Sequence, residues 1–139
     1  MASLRREFAV DAPAAIVWDA LRDVGAVHTR LAPGLVTDCR RDGEERIVTF
    51  ANGLVARELI VDVDHGAMRL AYSARSERFA HHHASFQVFE QSGDPGPARC
   101  RVVWIADLLP HAAADPIGAM MDAGVAAMRE ALGSHSGPA

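Results

Sequence analysis

Cysteine is scarce in this 139-residue chain: Cys39 and Cys100 stand alone, with no CxxC pair or Cys/His ladder around either. That removes structural zinc of the usual spacing. The opening MASLRREFAV holds no leader-like apolar stretch, so both thiols are expected reduced and buried, and the protein cytoplasmic. No apolar run approaches the roughly 20 residues that a spanning helix needs, which excludes membrane insertion by a helix. Basic residues form no block either; Arg5-Arg6, Arg40-Arg41 and single arginines are scattered through a chain of formal charge −4. Nucleic-acid binding is not expected. A serine elbow, a phosphate-binding glycine loop and informatively spaced carboxylates are also missing, so hydrolase and nucleotide-binding chemistry have no support and no cofactor is expected.

Half of the residues are hydrophobic. A domain of this length can bury about two-thirds of its unfolded surface, which predicts one domain over residues 1–133. The tail SHSGPA, 134–139, has nothing to bury and is expected to be flexible.

Periodicity divides the domain. Leu4, Arg6, Phe8 and Val10 alternate with polar or small residues, as in a strand. Asp11-Ala12-Pro13 then offers a cap and a first-turn proline to a helix that buries Val17, Trp18, Leu21 and Val24 and breaks at Gly25. A second short helical turn is expected over 26–31. From Leu35 the pattern is strand and turn: 35–40, 46–50, 54–64, 68–74, 82–90 and 99–108. Asp42-Gly43, Asn52-Gly53, His65-Gly66, the polar stretch near Ser76 and Gly93-Asp94-Pro95-Gly96-Pro97 separate them. The last element starts at Asp115-Pro116 and ends at Leu132 before Gly133, with Ile117, Met120, Met121, Gly124, Val125, Met128 and Leu132 on one stripe. The fold class that follows is α+β. A seven-stranded curled antiparallel sheet wraps around one long C-terminal helix, with two short helices after the first strand.

This order resembles the helix-grip fold of the START-like superfamily (SRPBCC), and within it the small bacterial polyketide cyclase/dehydrase-like proteins. The resemblance is carried by FAVDAPAAIVWDALRD, the series of hairpins, CRVVWIADLLP and DPIGAMMDAGVAAMREAL. It implies a cavity between sheet and helix for a small hydrophobic molecule, of lipid, aromatic or polyketide-like character. It implies no single reaction, because carriers, receptors and cyclases share the fold.

Strand parity proposes the lining. Val48 and Phe50 in the third strand and Trp18 in the first helix are expected to face the cavity. On the fourth strand Val55, Leu59, Val61 and Val63 share a face with Arg57, an inward cation, while Glu58, Asp62 and Asp64 point away. Tyr72 is inward with Met68 and Leu70; His82 with Ala84, Phe86 and Val88; Trp104 with Cys100, Val102, Ala106 and Leu108. The long helix contributes Met120, Met121, Gly124 and Met128 as adaptable or small walls.

The triplet His81-His82-His83 therefore divides. His81 and His83 lie on the outer face about 7 Å apart at Cα, a spacing that suits a metal; no third ligand is legible, and a solvated pair is the expectation. His82 is an inward candidate base, with Tyr72 and Arg57 placed to meet an enolate or carboxylate in a cyclisation or dehydration. Against that stands the plain alternative that Arg57 pairs with a carboxylate on a neighbouring strand and His82 hydrogen-bonds a backbone carbonyl. Three readings stay open: a binder of a small hydrophobic molecule, a cyclase/dehydratase, and an interaction domain with a filled cavity. An exposed edge strand could support a homodimer.

Overall fold

The computed structural model describes residues 2–91 and 98–133. The loop 93–97 and the tail 134–139, both named above, lie outside them. In order, the elements are β1 (Ala2–Val10), α1 (Ala14–Arg22), a single π-type turn (Val27–Leu31), β2 (Val36–Asp42), β3 (Glu45–Phe50), β4 (Val55–Asp64), β5 (Arg69–Arg75), β6 (His81–Gln91), β7 (Arg99–Leu109), a 3₁₀ turn (His111–Ala113) and α2 (Ala114–Gly133). All seven strands join one antiparallel sheet in the order β1-β7-β6-β5-β4-β3-β2. Six of them form a meander, and β1 returns to the far edge beside β7. α1 and the π-type turn make the crossing between the two edge strands. This is the α+β helix-grip architecture expected from the sequence. No helix among the described residues is long and apolar enough to cross a membrane.

The core lies on the concave side. Val17 and Leu21 of α1, Leu70, Val88, Val102 and Leu108 of the sheet, and Met121 and Leu132 of α2 are almost wholly buried. Fully burying a side chain of this kind contributes about 1.5–3 kcal/mol, so the sheet cannot flatten away from α2 without losing several such terms. α2 packs chiefly on β1 and on the π-type turn. One polar tie supports that packing: Arg6 donates to Asp122 at 2.6 Å and to the Gly118 carbonyl at 3.4 Å.

Local signals acted in slightly different ways than expected. Pro13, in an extended conformation, is the residue before the first turn of α1, and no side chain caps that helix. Asp11, the expected cap, pairs instead with Arg99 at 2.8 Å. Gly43 and Gly53 supply positive φ to their hairpins, but in the turn between β4 and β5 the left-handed residue is Met68 (φ 51°), not Gly66.

The larger difference lies in β4. Ile60 pairs with Tyr72 and Asp62 with Ala71, so Val61 is an extra residue with no partner, a β-bulge. Before the bulge the even residues Ala56, Glu58 and Ile60 turn inward; after it Val63 does. Leu59 and Val61 are exposed on the other face, while Val55, also exposed, meets the cavity rim at the start of the strand. The expected parity of β4 is thus reversed over its first half, which moves Arg57 out and Glu58 in.

Candidate functional site

Between the sheet and α2 the interior is not filled. A cavity of about 170 Å³ runs from the π-type turn (Val27, Leu31) across β3 to β7 and under α2. The structure places Phe50, Tyr72, His82, Phe86, Trp104, Met120, Met121, Gly124 and Met128 on its wall. Trp18 is buried but reaches elsewhere: its indole N–H donates to His65 Nδ1 at 3.3 Å in the turn after β4. Its ring therefore holds that turn against α1 and leaves the cavity wall to others.

Arg57 is the second correction. It is 42% exposed on the outer face, where it pairs with Glu45 at 2.9 Å and Asp42 at 3.1 Å. The first of these pairs is the larger influence holding its guanidinium charged, the second adds to it, and both lie outside the cavity. The bulge at Val61 is the cause: the even-numbered side of the first half of β4 is the buried one.

The interior cation is Arg46, at the start of β3, with the same parity as Val48 and Phe50. Its side chain is 4% exposed and bonds Glu58 (12% exposed) at 2.7 Å. A second guanidinium nitrogen reaches the Val24 carbonyl at 3.5 Å, and the group lies over the Tyr72 ring, 5.1 Å from its centroid. Burial works against the charge on Arg46; Glu58, with smaller help from Tyr72 and Cys39, opposes it, and the net effect raises the guanidinium above its ordinary value. Two opposite charges here cancel within the wall, so the interior of the site is close to neutral, and the remaining cation, Arg78, stands at the mouth. Reading Arg46 inward needed only the parity already used for Val48 and Phe50. Nothing in the sequence signalled the bulge that brings Glu58 to it.

Around this pair lies an aromatic array. Phe86 stacks on Trp104 at 4.6 Å and on Tyr72 at 6.1 Å. Trp104 Nε1 donates to Tyr72 Oη at 3.0 Å, so the phenol oxygen is used as an acceptor. Burial, reinforced by Glu58, pushes the Tyr72 phenol well above its ordinary value, and it stays protonated. Tyr72 is consequently a donor toward the cavity and is not an anion at any ordinary pH.

His82 is buried between Tyr72 and Phe79, at ring separations of 6.0 and 5.0 Å. Its Nδ1 accepts the Ala74 amide N–H at 3.0 Å. An imidazole whose Nδ1 lone pair is so engaged carries its proton on Nε2 when neutral. The remaining nitrogen is then a hydrogen-bond donor, able to polarise a carbonyl and unable to take a proton from carbon. The base expected at His82 is therefore not available in this arrangement.

Burial pulls the His82 imidazole below its ordinary value; Glu58 opposes this, and His83 and His81 reinforce it. The unfolded chain then binds a proton that the folded one resists. Stability supplied by neutral His82 is complete above about pH 6.5 and is lost as pH falls through the lower folded value. Thermal melts between pH 7.5 and 5 should show a steeper loss for the wild type than for His82→Asn, which keeps an acceptor and does not titrate; parallel profiles would count against this.

His81 is exposed and His83 half-buried on the outer face, and no group of three metal-ligating side chains occurs among the described residues. Cys39 and Cys100 are buried free thiols; burial raises both, Cys100 to about 11, so neither is nucleophilic.

Comparison with known structures agrees with this architecture. A Thermobifida fusca protein solved by NMR is 30% identical, with a TM-score of 0.74 over 99% of this chain and 94% of that one. The di-domain ARO/CYC BexL from the BE-7585A biosynthetic pathway (19% identical, TM-score 0.74) matches 99% of this chain and 48% of its own. Norcoclaurine synthase of Thalictrum flavum, at 16% identity and a TM-score of 0.68 over 98% and 96%, shares the fold. No curated protein matches by sequence. Residues 1–134 match the family described as polyketide cyclase / dehydrase and lipid transport, and the chain belongs to that family.

Proposed function

We propose that this chain, as one domain over residues 1–133 in the cytoplasm, binds a small, uncharged, largely apolar molecule with an oxygen acceptor, such as a ring ketone or polyketide-like compound. The observation that carries this is the composition of the cavity wall. Aliphatic, aromatic and methionine side chains make up most of it; inside, the polar groups are Tyr72, His82 and the self-neutralising Arg46–Glu58 pair, while Ser76 and Arg78 stand at the mouth. A carboxylate ligand would have to compete with Glu58 for Arg46, whereas a carbonyl oxygen needs only the N–H of His82 or the O–H of Tyr72. No role for nucleic acid or for a second copy of the chain is needed.

The cyclase/dehydratase reading has less to stand on. Its trio is separated by the sheet, with Arg57 outside, and His82 Nδ1 is occupied. The chain has no lysine, so no side-chain amine is present for imine chemistry. The packed-interior reading would require the space under α2 to be closed.

Native mass spectrometry of the purified protein, together with titration of N-phenyl-1-naphthylamine, a neutral fluorescent hydrophobe, tests the proposal. Wild type should bind the probe, and Ala56→Phe, which sends a ring into the cavity from β4, should weaken it at least about tenfold, or 1.4 kcal/mol. Equal binding by both proteins, or none by either, would sink the binding reading. Turnover of a polyketone by the wild type would move the choice to the enzyme.

A further inference from the structure

β5 and β6 part company at one end. β6 pairs with β7 along its whole length and β5 pairs with β4 out to Arg75, yet their own ladder covers only Arg69–Tyr72 against Ala84–Gln87. Beyond Tyr72 and Ala84, residues 73–75 and 81–83 run alongside with no backbone pair between them. Two bonds through side chains bridge the gap: the Ala74 amide donates to His82 Nδ1, and the Ser73 hydroxyl donates to the His82 carbonyl. A wall of a sheet is ordinarily sealed by its ladder. Here it is sealed by one imidazole and one hydroxyl.

On the outside of this seam lies an open depression lined by Ser73, Arg75, Ala80, His81 and His83. It shares Ala74, Ser76, Phe79 and His82 with the interior cavity, so these four residues stand between the cavity and that depression, next to the mouth where exposed Leu54, Val55 and Arg78 meet solvent.

We infer that the seam between β5 and β6 is the side of the cavity mouth that opens, and that His82 is its proton-sensitive clasp, keeping the mouth narrow when neutral and releasing it when protonated. An imidazolium carries N–H on both nitrogens. Protonated Nδ1 would face the Ala74 N–H donor to donor, and either the ring turns out or Ala74 moves off. Phe79 packs against His82 on the connecting segment and moves with it.

The charged and titratable groups around the clasp come from every neighbouring element. Glu58 of β4, which faces the cavity with Arg46 of β3, favours the proton; His83 and His81 on the same strand oppose it, and burial opposes it most. Tyr72 of β5 is a neutral phenol, Arg78 lines the mouth and Arg75 the outer depression. Opposite on β7 is Leu108, and α2 brings only apolar residues to the cavity. Release is therefore set below the ordinary imidazole range.

The traffic through the seam rests on the binding reading, but the clasp can be observed without a ligand. Protection of the Ala74 amide against hydrogen exchange, followed by NMR with the His82 ring nitrogens from pH 7.5 to 4.5, should fall as His82 titrates while the rest of the sheet stays protected. Stopped-flow association of N-phenyl-1-naphthylamine should accelerate at least tenfold over the same range. His82→Asn, whose Oδ1 stands where Nδ1 stood, should stay slow throughout, and His82→Ala should be fast at every pH. Identical rate profiles for the wild type and His82→Asn, or an Ala74 amide indifferent to His82 titration, would overturn the inference. A probe that never binds overturns the binding reading instead, and Ala74 protection then decides the clasp alone; if His82→Ala does not fold, the wild type and His82→Asn suffice.

Discussion

Glu58→Leu should destabilise the fold by about 3–5 kcal/mol, the cost of leaving one partner of a buried ion pair alone. Arg46 cannot shed its charge at any accessible pH, and it is 4% exposed. Without Glu58 its remaining partners are a carbonyl at 3.5 Å and the face of Tyr72. Neither replaces a carboxylate at 2.7 Å. The double variant Arg46→Met/Glu58→Leu removes both charges and keeps similar volume, so it should return to within about 1 kcal/mol of the wild type or exceed it. Urea unfolding of the three proteins measures both statements. A Glu58→Leu midpoint close to that of the wild type would mean that water in the cavity already solvates Arg46. The double variant would also convert the polar end of the cavity to a greasy one, and should lose selectivity for ketones over hydrocarbons of the same shape.

Gly124→Leu is the second change with a large effect. A Cβ at this position would lie 2.9 Å from Cζ3 of Trp104 and 3.1 Å from Cη2, closer than packed carbons approach. The indole is held by its stack on Phe86 and its bond to Tyr72 Oη, so it can yield only toward the empty cavity. Overpacking of this kind costs about 1–3 kcal/mol, while replacing a glycine within a helix returns up to about 1 kcal/mol. The net loss of stability should be modest, about 0–2 kcal/mol. Binding should suffer more, by about a hundredfold or 2.7 kcal/mol, because Trp104 and the new side chain occupy the ligand's space and the bond to Tyr72 is lost. Probe titration and denaturation on one preparation separate the two effects. Strong binding by Gly124→Leu would show that the ligand lies away from Trp104.

Much of the architecture was legible because local and tertiary requirements agree. Alternation in β5, β6 and β7 predicts the inward Tyr72, Phe86 and Trp104, since those strands carry no bulge within the segment that lines the cavity. The stripe on α2 is legible for the same reason: a helix long enough to show several turns averages out single exceptions. Arg46 was missed although its parity with Val48 and Phe50 is plain, because charge at an inward position reads as a strand end until its partner is known. That partner was invisible. Glu58 reaches the interior only through Val61, and Val, Ile, Asp and Leu around it give no turn residue to mark a bulge. Trp18 shows a different limit. Periodicity puts it on the buried face of α1, but does not say which neighbour it meets, the cavity or the exposed turn at His65.

Val61 also makes β4 unusually sensitive to length. With the turn at His65 holding the second half of the strand, removal of this one residue would rotate the first half by half a pleat. Ala56 and Glu58 would leave the interior, and Arg57 and Leu59 would enter it. The cavity wall would then carry Arg46 and Arg57 with no carboxylate between them. A neutral chamber suited to a ketone would become a twice-positive one that suits an anion. The charge preference of this pocket is thus written less in which charged residues the strand contains than in whether it holds ten residues or nine.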